Sequence, residues 1–190
     1  IKNALVANEN GLYIMLAGDS WFDSACINYS YFAPGYYRAF AKHVPEDAAF
    51  WNKVASDTYT LLNRASNSNT GLVRNWGSAD GGSASNDCKS SFSFPDEYGD
   101  DASRTPWRVA TDYIWWGTPE AKSWADRVTS WLMTQNVSQL GQWYKLDGSL
   151  QTDHPNHRNH TAITVGPWAV GSMTHSQEAV NSLAAELVKI

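Results

Sequence analysis

Asp100 and Asp101 stand side by side in the stretch YGDDASRTPWR, Tyr98 to Arg108, with Arg104 three residues beyond the second carboxylate. An acid just ahead of a helix often serves as its N-cap, accepting a backbone N–H. Here that place is expected to be filled: Pro106 favours the first helical position, which makes Thr105 the N-cap. Asp101 and Arg104 are then left in the turn above the helix, at a rim where side chains can meet a ligand. His154, His157 and His160 recur every third residue and would share a face only on a helix. Pro155, Asn156 and Asn159 among them favour a loop, so no metal site is assigned.

The composition fits a neutral ligand. Fourteen basic and 19 acidic residues leave a net charge of -5, and the basic residues are scattered, so the footprint needed for nucleic acid is missing. No apolar run reaches membrane length. Ten Trp and nine Tyr supply rings that stack on flat apolar faces while their N–H or O–H groups hydrogen-bond, and sugar rings offer such faces. Trp21 and Trp76 lie in polar loops and are the candidates for stacking. Cys26 and Cys88 have no CxxC spacing and could form one disulfide. Residues 1–190 are read as a single domain; because the first residue is Ile1, the chain is expected to be processed or excised.

The elements that must position these groups are helical. Trp51, Val54, Ala55, Thr58, Leu61 and Leu62 mark one buried face over residues 46–63. Residues 119–133 repeat the plan, with Thr118 as cap, Pro119 at the first position, and Ala121, Trp124, Val128, Trp131 and Leu132 inward. Residues 177–189, capped by Ser176, turn Val180, Leu183, Ala184, Leu187 and Val188 inward. Three less two-faced runs alternate with these: Tyr31 to His43, Pro106 to Trp116, and about Thr161 to Met173. The order inner, outer, three times over, reads as three αα-hairpins side by side. Gly/Ser/Asn-rich loops, notably 75–87 and 146–159, lie between them.

Taken together, NYSYFAPGYYRAFA (Asn28 to Ala41), YGDDASRTPWRVATDY (Tyr98 to Tyr113), NSNTGLV (Asn67 to Val73), YKLDGS (Tyr144 to Ser149) and HTAITVGPWAVGSM (His160 to Met173) resemble glycoside hydrolase family 8. These are inverting endo-β-glycanases that include bacterial cellulases and xylanases. The resemblance implies an all-α fold, part of an (α/α)6 barrel or toroid built from αα-hairpins, and hydrolysis of a β-1,4-linked polysaccharide, with cellulose the preferred substrate and no cofactor. Asp101 falls on the catalytic base that activates water. Arg104 matches an arginine that orients it, and Tyr31 a tyrosine beside the attacking water. Tyr98 and Asp100, on the same turn, are expected to touch substrate with Trp21 and Trp76. Inversion also requires a carboxylic acid across the scissile bond. In the family it comes from earlier segments, so the chain is read as the C-terminal part of the catalytic barrel, completed by a second chain or segment. Glu97 and Asp19 are the substitutes within it. The family's habit implies an extracellular or periplasmic location.

Two alternatives come from other classes. A non-catalytic carbohydrate-binding module would use the same aromatic surface without turnover. IMLAGDSW, Ile14 to Trp21, reads as a short strand running into Gly-Asp-Ser, and with DHPN at Asp153 to Asn156 is similar to SGNH-type esterases, Ser20 being the nucleophile. The alternating strands of that fold are missing between residues 30 and 135, and Gln151 stands where its Asp belongs.

Overall fold

The computed structural model describes residues 1–19 and 23–190. The chain opens with a single helical turn, α1 (Lys2–Leu5), and an antiparallel hairpin of β1 (Val6–Glu9) and β2 (Leu12–Met15), in which Val6 pairs with Met15. Asn10 and Gly11 link the strands with φ of 50° and 82°, the left-handed geometry that Asn-Gly turns adopt most easily. The short strand expected from Ile14 is therefore the end of β2 in a two-stranded antiparallel sheet. The parallel sheet that the esterase reading needs is not formed by the described residues.

Three helical pairs follow. α2 (Pro34–His43) packs on α3 (Ala48–Ala65), α5 (Thr105–Trp116) on α6 (Pro119–Leu132), and α7 (Ala162–Ser172) on α8 (Gln177–Leu187). α5 touches both α2 and α7, so α2, α5 and α7 form the inner layer of an arc of hairpins. A short helix, α4 (Asn86–Ser91), lies in the long loop between α3 and α5. Gly35 of α2 approaches the backbone of Thr111 and Asp112, and Lys42 lies over the Trp116 ring, so these inner helices run side by side in the same direction. The expected inward residues of α3 and α6 are buried, among them Val54, Leu62, Trp124 and Leu132 at 2% exposure or less. Each such side chain contributes about 1.5–3 kcal/mol through apolar burial. α5 ends at Gly117, whose φ of 68° gives the left-handed cap that glycine takes without penalty.

Two local expectations are corrected. Thr105 is the first helical residue rather than the cap, because a 3-10 turn at Ala102–Arg104 runs directly into α5 and supplies helical geometry before it. Pro106 still sits in the first turn, where its missing N–H costs nothing. In α8 the buried stripe is Ala179, Leu183 and Glu186, whereas Ala184 and Val188 face solvent. That helix packs on α7 and the short turn Val137–Gln139, too little to cover a wider face.

Candidate active site

The turn that carries Asp101 is fixed from several directions. Ser103 donates its N–H to the Gly99 carbonyl at 2.8 Å and its hydroxyl to the Asp100 carbonyl at 2.8 Å. Asn75, from the loop after α3, accepts the Ala102 N–H on Oδ1 at 2.9 Å. Tyr98 exchanges backbone hydrogen bonds of 3.0 and 2.9 Å with Tyr144. Gly99 lies against the face of Trp143, where a Cβ would fall 2.3 Å from a ring carbon. The sequence thus places a residue without a side chain where the loop of residues 141–160 closes on the turn.

On this platform the Asp101 carboxylate is held at both oxygens. Arg104 donates from a terminal guanidinium nitrogen to Oδ1, and the Trp76 indole N–H donates to Oδ2 at 2.8 Å. The Arg104 Nε–H reaches the Ser30 hydroxyl at 3.1 Å, which in turn donates to Asn28 Oδ1 at 2.6 Å. Arg104 also lies over the Tyr31 ring, 5.5 Å from its centroid. The Asp101 and Arg104 side chains remain 34% exposed. A carboxylate has about four acceptor positions; two donors fix its orientation and leave others open to water. A general base needs that combination of fixed direction and free lone pair. Beside Tyr31 runs a largely apolar cleft of about 480 Å³, bordered by Tyr36, Phe40, Trp107 and Arg108.

Asp101, Arg104 and Tyr31 are brought together as expected. Asp100 is exposed on the same turn and accepts from the Gln142 side-chain amide, which leaves it at the surface beside Asp101. Two expected sugar contacts are corrected. Tyr98 is 1% exposed, with its ring stacked on Trp168 at 5.7 Å and 9°; burial pushes its phenol well above the usual value. It lies beneath the turn, because the bridge to Tyr144 turns its side chain into the core. Trp76 is 4% exposed and its face is covered by Phe92 at 3.9 Å and 10°. Its polar loop folds inward over a small apolar cluster, so its N–H meets Asp101 and its faces are not open to sugar. Trp21 and Ser20 lie outside the described residues.

The histidines are engaged separately. His154 stacks on Trp143 at 3.9 Å, with burial holding it below the usual imidazole value. His157 bonds the His154 carbonyl, while His160 meets the Leu140 carbonyl and Glu186. Glu97 accepts from the Gln151 side chain at 2.8 Å. Sequence reasoning missed Asn28 and Asn75. Asn28 heads an Asn-Tyr-Ser triplet, whose spacing suits an Asx turn, and its Oδ1 accepts from the Ser30 N–H and hydroxyl. Asn75 bonds a residue 27 positions away, which no local pattern reveals.

The model of the family described as glycosyl hydrolases, family 8, matches residues 1–185. Endoglucanase C of Ruminiclostridium cellulolyticum is 36% identical over 191 residues, covering all of this chain and 38% of that protein. Endoglucanase A of Acetivibrio thermocellus is 34% identical over 168 residues, covering 87% of this chain and 32% of that protein. This chain therefore spans well under half the length of these relatives. Among solved structures, Rex8A from Paenibacillus barcinonensis complexed with xylose superposes with a TM-score of 0.74 at 21% identity, over 90% of this chain and 44% of that one. The arc of hairpins is thus shared with a larger fold, a partial all-α toroid, and the chain belongs to glycosyl hydrolases family 8.

Proposed function

We propose that this chain supplies the general-base side of an inverting endo-β-1,4-glycanase acting on cellulose or a similar glucan. The observation that carries the reading is the Asp101 carboxylate, held at both oxygens by Arg104 and Trp76 yet one-third open to solvent beside Tyr31. A water between Asp101 and the anomeric carbon would lose its proton to the carboxylate as it attacks, while an acid on the far side protonates the leaving oxygen. The acid and the rest of the sugar cleft would come from a segment that completes the ring. Exposed Tyr36, Trp107, Trp115 and Ile163 on the inner helices support such a neighbour. The endoglucanase names of the relatives support cellulose. The Cys26–Cys88 disulfide supports the oxidising conditions of an extracellular or periplasmic setting.

The test is a fusion in which this chain replaces the matching part of endoglucanase C, assayed by reducing-sugar release from carboxymethylcellulose. Asp101→Asn is expected to lower the rate by roughly 10²–10⁴-fold, the usual contribution of a positioned base. An unchanged rate would remove Asp101 from that role.

A further inference from the structure

We infer that Trp76 is a positioning residue for the base, and that the Cys26–Cys88 disulfide braces it through Phe92. The inference rests on the reading of Asp101 above, but its geometry stands independently. The terminal torsion of an aspartate is soft, so one donor leaves its carboxylate free to swing. Arg104 fixes Oδ1; the Trp76 N–H, at 2.8 Å from Oδ2, is the second donor among the described residues and fixes the carboxylate plane. The Trp76 backbone is itself clamped, its N–H on the Pro95 carbonyl at 2.9 Å and its neighbour Gly77 in a reciprocal bridge with Ile27.

The indole is then held in plane by Phe92, which stands four residues after Cys88 at the end of α4. Cys26, Cys88 and Trp76 belong to one small buried cluster, separate from the main core, with Phe92 packed against it. On the other side Cys26 lies two residues before Asn28, the end of the Arg104–Ser30–Asn28 chain. The disulfide therefore links the two walls that grip the carboxylate, one through Trp76 and one through Arg104.

The test uses this chain with ¹⁵N-labelled indoles, the Trp76 signal being identified by its loss in Trp76→Phe. The Trp76 N–H resonance is expected to shift as acid protonates the Asp101 carboxylate it donates to, and to stop doing so in Asp101→Asn. Among the described residues, Arg104 and Asp100 on the turn, Asp23 before Cys26, and Arg74, Lys89 and Asp96 in the loop are the other charges on the elements packed around Trp76; the Asn variant separates their effect. In Cys26→Ser/Cys88→Ser and in Phe92→Ala, the shift with pH is expected to shrink or vanish while the other nine indole signals keep their native positions. Phe92→Ala carries the test alone if the double variant does not fold. A Trp76 signal that ignores Asp101 overturns the positioning role. A full shift in Cys26→Ser/Cys88→Ser or, should that variant not fold, in Phe92→Ala overturns the brace. The hydrolysis assay can fail without affecting this readout, so the two readings fall separately.

Discussion

Arg104 works in two directions at once, toward Asp101 Oδ1 and toward the Ser30 hydroxyl, with the Tyr31 ring beneath it. A guanidinium can do this because its donors form a planar fork, whereas an ammonium is a compact point charge. In the endoglucanase C fusion, Arg104→Lys is expected to lower kcat by about 10²-fold, the cost of a base displaced by an ångström, with KM little changed. Steady-state kinetics on a soluble glucan check this, and a change confined to KM would make Arg104 a sugar contact instead. That Asp101, Arg104 and Tyr31 would lie together followed from a resemblance carried by two short, specific segments, and the structure sets Arg104 against both of the others. Trp76 was misread because its partner lies 25 residues away. A tryptophan in a polar loop looks the same in sequence whether the loop opens to solvent or folds inward.

Among the elements, α2, α3 and α5 meet at Asp112, which is fully buried. Arg38 donates to its Oδ1 at 2.9 Å and the Tyr59 hydroxyl to its Oδ2 at 2.5 Å. Burial, then the adjacent carboxylate, pushes the Tyr59 phenol far above its usual range. Asp112→Ala is expected to destabilise the chain by roughly 3 kcal/mol, the lower end for breaking a buried pair, since the Arg38 side chain keeps 26% exposure. Urea unfolding measures it. In the loop after α3, burial alone would raise Asp96, but the Ser83 hydroxyl, Lys89 and Arg74 hold it below the ordinary 3.8. Its folded form thus resists protonation more than its unfolded form. The resulting stabilisation is complete above the unfolded value and is lost as pH falls through the lower folded value. Melting temperature should decline below about pH 4 and decline less steeply in Asp96→Asn; parallel curves would show that Asp96 contributes nothing. The helices were legible because a 3.6-residue stripe is a local pattern. The hairpin of β1 and β2 had a signal too, Asn10-Gly11, but each strand is only four residues long.

For the molecule as a whole, the inner layer is the feature that no single element explains. Helical periodicity reveals that a face is apolar, and nothing in it says whether that face meets its own chain or another. Tyr36 and Trp115 touch edge to face at 5.0 Å and are 38% and 52% exposed. Surfaces of this kind bind apolar dyes. The chain alone is expected to enhance anilinonaphthalene sulfonate fluorescence, and the fusion with the preceding part of endoglucanase C to suppress it. Equal enhancement in both would mean that the preceding segment does not cover this face. The gripping of Asp101 has a different reach. Asn28, Ser30, Trp76, Phe92 and Arg104, with both cysteines, all fall within residues 26–104, a single uninterrupted stretch. Genetic recombination that keeps this stretch whole would carry Asp101 together with the side chains that hold its carboxylate, leaving only the outer supports of its turn, Trp143 and Tyr144, to be matched from beyond it.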